Sequence, residues 1–149
     1  MRLRLMLLIT LLALSLSSDA CKDSGDTLVG SPPPGGSPVK WSYRGYNSKG
    51  SLIVIGKVVL AQIDSTTING TWDLEGITAG EQVGPQLGTG KLTGMIQGTS
   101  ISMNLNPGWA DNNVVLSGTI EKDRISGKWT WITFVGPTAE GTFEAIKTS

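Results

Sequence analysis

The chain has 149 residues with 12 basic and 12 acidic side chains, so no net charge draws it to nucleic acid or to an anionic membrane surface. It contains no histidine, which removes Ser-His-Asp and Cys-His nucleophilic systems, the common zinc sites and the usual proton shuttle at neutral pH. A single cysteine rules out a disulfide within the chain.

The N-terminus reads as an export leader over residues 1–20. Arg2 and Arg4 precede an apolar run, Leu5 to Leu16, broken only by Thr10 and Ser15, and small residues follow up to Ala20. That run is shorter than the roughly 20 residues a spanning helix needs. Cys21 stands directly after the cleavage position, and a lone cysteine in an exported chain needs a reason. The arrangement resembles the bacterial lipobox, in which a small residue precedes a lipidated cysteine. Ala20 fits that pattern, while Ser18 stands where leucine is usual and Asp19 is an uncommon neighbour. Ser18 and Ala20 also suit ordinary signal peptidase, so simple secretion with a free thiol stands as the alternative. The resemblance implies a lipoprotein of the cell envelope, held by palmitate-type acyl chains on Cys21, in the outer membrane if the host is Gram-negative. The alternative location is secreted or periplasmic. Cleavage removes Asp19, Arg2 and Arg4 and leaves a charge near −1, so the membrane attachment must come from acyl chains.

Residues 21–39 form the lipidated cysteine and a tether. Four of the seven prolines and four of the 20 glycines fall there, with almost nothing to bury. Such a segment cannot recover its ordering entropy and is expected to be a disordered, partly extended linker.

From residue 40 to 149 period-two alternation dominates, with no sustained helical periodicity. A first strand is expected around Trp41 to Tyr46. Residues 51–63 are apolar on both faces, so part of that strand should be covered from outside. In 67–75 the inner set is Ile68, Trp72 and Leu74; in 91–98 it is Leu92 and Ile96. Ile101, Met103 and Leu105 alternate in 100–105, and Val114, Leu116 and Ile120 in 113–121. Residues 124–131 put Ile125, Trp129 and Trp131 inward, and a last strand spans 139–146. One wet and one dry face describes antiparallel pairing. Tight turns at Gln97-Gly98-Thr99 and 121–124 join neighbours, and Asn47 to Gly50, Asp64 to Thr66 and Gly136-Pro137 carry turn chemistry. Longer connections span 76–89 and 106–112. Eight hairpin-linked strands predict an all-β, up-and-down barrel, whose closure removes exposed edges; a two-sheet sandwich is the alternative.

A short theme recurs in Ile68-Asn69-Gly70-Thr71-Trp72, Leu92-Thr93-Gly94-Met95-Ile96, Leu116-Ser117-Gly118-Thr119-Ile120 and Ile125-Ser126-Gly127-Lys128-Trp129. Each places glycine inward between large apolar residues, where strands coil strongly or backbones approach closely. This rhythm resembles the avidin-like and wider calycin-like eight-stranded barrels over most of 41–147. The resemblance implies a fold far more than a function. An avidin-type site needs polar groups converging inside, and the inner phase here is nearly free of them.

No catalytic constellation is visible, and no cofactor or metal is expected. Asp73 and Glu75 share one strand face, the outer and polar one, and read as solvated charge. Asp111, Asn112 and Asn113 supply too few oxygens for a hard cation and read as turn residues. The tryptophans carry the one functional hint. Trp72, Trp129 and Trp131 face inward and either line a cavity for a small apolar ligand or fill the core. Trp109, in the loop Asn106-Pro107-Gly108-Trp109-Ala110-Asp111, is either a contact anchor or a lid over the barrel end. The leading expectation is a non-catalytic, lipid-anchored envelope protein binding a small apolar ligand in its barrel. The alternative is a protein-binding module, such as a protease inhibitor or an assembly component, with residues 22–40 as an arm. An enzyme would rest on carboxylate chemistry alone.

Overall fold

The alternating segments form eight antiparallel strands: β1 (Val39–Asn47), β2 (Leu52–Gln62), β3 (Thr67–Gly76), β4 (Gly88–Gln97), β5 (Ser100–Asn104), β6 (Asn112–Glu121), β7 (Arg124–Thr133) and β8 (Gly136–Lys147). They are seen in a computed structural model that describes residues 35–77, 79–80 and 82–148. The leader, Cys21 and the tether up to residue 34 lie outside the described residues. Each strand pairs with its sequence neighbours, and β8 returns to β1 from Trp41↔Lys147 to Asn47↔Gly141. That last ladder closes the barrel and excludes the two-sheet sandwich. Only strand ends that overrun a shorter neighbour, such as 136–140 of β8, keep a free side.

Inward side chains of all eight strands form one continuous buried cluster, with Trp41, Tyr43, Leu60, Ile68, Leu116 and Trp129 among its largest members. Burying a large apolar side chain contributes about 1.5–3 kcal/mol, so this cluster is the main source of stability. The recurrent glycines sit where neighbouring backbones come too close for a side chain. Gly118 and Gly127 pair directly across β6 and β7. A Cβ on either would lie 2.1 Å from a carbonyl oxygen, of Ser126 or Ser117 respectively. Gly70 and Gly94 meet the Val59 and Ser102 carbonyls at 2.2 and 2.4 Å in the same way.

Two features depart from simple alternation. In β2, Val54 pairs with Gly45 but Leu52 pairs with Tyr46, which leaves Ile53 as the extra residue of a bulge. Ile53 and Val54 are therefore both buried, which accounts for part of the apolar excess in 51–63. The expected outside cover is only partial: Ile55, Val59 and Ala61 stay half-buried on the outer wall, the last two beside Pro38. The second departure corrects the expected turn at Gly136-Pro137. The turn residues are Phe134 and Val135, and Gly136, at φ 104°, takes the left-handed position after them. Pro137 lies within β8, paired with Ile132, beyond the point where β1 pairing stops at Gly141. A strand position with one free side tolerates the missing N–H.

Polar turns are fixed by side chains. Asn47 Oδ1 accepts the backbone N–H groups of Lys49 and Ser51, each at 3.0 Å. Asp64 Oδ1 accepts those of Thr66 and Thr67 at 2.8 and 2.7 Å. These backbone hydrogen bonds stabilise the carboxylate and hold the Asp64 pKa down at about 2.

Candidate functional site

The barrel has two unlike ends. β1 begins and β8 ends at the proximal end, which also holds the short turns 63–66, 98–99 and 122–123. The distal end holds the turn 48–51, the segments 77–87 and 105–111, and the hairpin tip 134–135. The chain reaches β1 from the proximal side, where the Gly35 N–H donates to the Gln62 carbonyl at 2.9 Å.

Three of the four inward tryptophans tie the distal half together; the fourth, Trp41, is buried near the start of β1 with its Nε1 unpaired among the described residues. Trp72 and Trp129 are buried and Trp131 is half-buried. Trp72 Nε1 donates to the Leu105 carbonyl at 2.6 Å, and Trp129 Nε1 to the Tyr46 carbonyl at 2.8 Å. Trp131 Nε1 donates to Asn112 Oδ1 at 2.8 Å, while Asn106 Nδ2 donates to the Asn112 carbonyl at 2.9 Å. Buried indole N–H groups normally find such partners, and these partners are strand ends and distal loops. The Asn112 and Asn113 side chains are likewise engaged, the latter donating through Nδ2 to the Trp109 carbonyl.

A segment that the sequence did not single out covers the distal mouth. Val83 and Gln86 enter the core, with Gln86 fully buried, and Gly84 packs on the face of Trp131. Gly84 sits at φ 64°, and a Cβ there would lie 2.5 Å from the indole, so both conformation and space call for glycine. The Tyr43 hydroxyl donates to Gln86 Oε1 at 3.4 Å, a long contact, and Gln86 Nε2 has no partner. Tyr43 is stacked on Phe143 with ring centroids 5.9 Å apart, and burial pushes its pKa up, so the hydroxyl remains a donor. A cleft of about 530 Å³ follows this segment, between Val83, Leu87, Asn112 and Trp131.

The rim around this plug is apolar. Of the eight large apolar side chains left exposed among the described residues, five stand at the distal end: Ile77, Leu87, Trp109, Phe134 and Val135. Phe134 is 85% exposed, Val135 75% and Trp109 63%. The Trp109 ring therefore stands in solvent, and the lid over this end is 82–87. Only two charged side chains, Lys49 and Asp111, lie in the described parts of the distal loops. A pair of large apolar residues at a hairpin tip, where polar turn formers are usual, was the available signal for Phe134 and Val135. Nothing in the spacing pointed to Val83 or Gln86.

Asp73, Glu75 and Glu144 stand on the outer face of their strands. Asp73 pairs with Lys57 at 3.0 Å, and Glu144 meets Arg124 at 3.2 Å and the Tyr46 hydroxyl at 2.9 Å. Among the described residues no group of three or more Cys, Asp or Glu side chains is placed to hold a metal ion. Compared with models of known protein families and with characterised proteins, the sequence matches none.

Proposed function

We propose that this is a lipid-anchored, non-catalytic protein of the bacterial cell envelope that binds a protein partner through the distal rim of its barrel. The observation that carries the reading is the hairpin tip Phe134-Val135, held out in solvent with Trp109, at the end opposite the one where the chain reaches β1. Exposing large apolar side chains at loop tips gives no folding stability, and contiguous exposed apolar surface marks interaction sites. Aromatic anchors are the side chains that dominate protein interfaces. The partner surface would be a shallow, mainly apolar recess, because the described parts of the distal loops carry only Lys49 and Asp111 as charged side chains.

The leader and Cys21 supply the anchoring half of the proposal, together with the envelope location and, for a Gram-negative host, the outer membrane. The eight-stranded up-and-down topology and the inward glycines support kinship with avidin-like and calycin-like barrels, as a relation of fold. Photo-crosslinking in the native host tests the docking role. A photoreactive residue at 134 should give one discrete protein adduct, and the same probe at Met95, exposed on the wall toward the proximal end, should give none. Equal adducts from both positions, adducts with lipid alone, or an adduct of two copies of this chain would each reject a distal heterologous partner.

A further inference from the structure

Strand β5 has five residues where its neighbours β4 and β6 have ten each, so the distal part of β4 overruns it. The Ile96 N–H donates to the Thr66 carbonyl at 2.7 Å, on the β3 side. Backbone groups of an antiparallel strand point to its two neighbours alternately, so Gln97, Met95, Thr93, Lys91 and Thr89 turn theirs toward β5. Pairing with β5 stops at Thr93↔Asn104, which leaves Thr89 and Lys91 facing a gap. The segment after β5 bends away from it. The Leu105 N–H and Asn106 Nδ2 donate to the Val114 and Asn112 carbonyls of β6, each at 2.9 Å, and the Trp109 N–H to the Asn106 carbonyl at 3.2 Å. Among the described residues no backbone hydrogen bond reaches the free side of Gly88–Lys91. The free side of β8 differs. There Trp131 pairs with Ala139 and Ile132 with Pro137, so Thr138 is an extra residue, and a bulge beside a proline blunts an edge.

We propose that the partner adds an extended segment to β4 along Gly88–Lys91, continuing the course that β5 abandons at Asn104. An open strand edge recognises extended backbone: main-chain hydrogen bonds supply the affinity and alternate side chains the choice of partner. The surroundings define those side chains. Lys91 is exposed and pairs with no acid among the described residues, so an acidic residue belongs opposite it. Leu87, exposed just before the edge, packs over Gly76, and the exposed Ile77 follows that glycine. Trp109 stands exposed in the segment that takes the place of a longer β5. Three of the five exposed apolar residues of the rim thus lie on the connections bordering the gap, which calls for an apolar distal end on the added segment. The edge of 88–91 spans about 13 Å, so the added strand is short.

This inference rests on the distal partner proposed above, and one experiment separates the two. The full chain in its host, with a photoreactive residue at 134, reports the partner as a discrete adduct. Lys91→Pro removes an N–H that faces the gap and leaves the bonds to β3, so a chain with native near-ultraviolet dichroism should lose the adduct by about tenfold or more. Thr89→Pro should do the same. Lys91→Ala keeps the backbone donor and gives up only an exposed charge pair, a loss of less than about fivefold. In the purified adduct of the unsubstituted chain, amide exchange at 89 and 91 should be at least about tenfold slower than in the free chain. This readout decides the matter if the proline variants do not fold. Absence of any adduct from 134 defeats the partner reading itself. An adduct that survives both folded proline variants, equal losses from Lys91→Ala and Lys91→Pro, or unchanged exchange at 89 and 91 overturns the added strand alone.

Discussion

Replacing Gly127 with alanine adds one methyl group where β6 and β7 leave no room for it. The new Cβ would lie 2.1 Å from the Ser117 carbonyl oxygen and 2.5 Å from the Gly118 Cα, while real Cβ atoms essentially never come under 3.0 Å. The two strands must separate by about 1 Å from their normal spacing of about 4.8 Å, which is enough to break the ladder hydrogen bonds beside the pair. Overpacking against backbone costs about 1–3 kcal/mol. Each hydrogen bond lost adds about 0.5–1.5 kcal/mol. The expected destabilisation is therefore about 2–5 kcal/mol, a fall in Tm of roughly 10–20 °C for a domain of this size. Gly108→Ala is the control, because a Cβ there meets nothing within 4 Å. It should change stability by less than about 0.5 kcal/mol. Thermal unfolding followed by circular dichroism reads both variants. A Gly127→Ala protein that melts within about 2 °C of the parent would refute the close approach of β6 and β7, and with it the account of the glycine repeat.

Trp129→Phe should lower stability by about 1–3 kcal/mol in urea unfolding, because the Tyr46 carbonyl loses its 2.8 Å donor. Asp64, held at about 2 against an ordinary value of 3.8, binds protons less readily in the folded state. Its contribution is therefore complete above pH 4 and is lost as pH falls toward 2. Acid unfolding curves of the parent and Asp64→Ala should converge over that window. Phe134→Ser with Val135→Ser should leave Tm within about 2 °C, because both side chains are mostly exposed, while lowering the fluorescence of a bound apolar dye.

The fold was legible because inner and outer positions differ so consistently. Ile101, Met103 and Leu105, or Ile125 and Trp129, declare one dry face without any knowledge of their partners. The glycines between them declare coiling. What escaped were the places where pairing, not pattern, decides. The bulge at Ile53 makes two consecutive residues face the core, and alternation alone cannot announce it. Pro137 suggested a turn because proline usually stays out of strands, yet β8 has outrun β1 there and the rule has no force. Trp109 drew attention by type. Gln86, a commoner residue without periodic support, is nonetheless the one fully buried, and only the path of the loop puts it there.

The division of labour between the two ends follows from the topology. An up-and-down barrel with an even number of strands brings β1 and β8 to the same end, so the opposite end is made of connections alone. Turns at the proximal end need only reverse the chain, and 98–99 and 122–123 do so with two residues each. Distal connections are free to lengthen without disturbing any ladder. Two of them have done so, 77–87 and 105–111, and the shortest, 134–135, carries two apolar residues instead. Trp72, Trp129 and Trp131 hold their N–H groups on Leu105, on Tyr46 at the end of β1 and on Asn112 at the start of β6, so the wall braces the distal strand ends from which the loops spring. A site on such a scaffold can change its loops while the barrel stays fixed. For this chain, that places the residues most open to functional change at 82–87, 109 and 134–135.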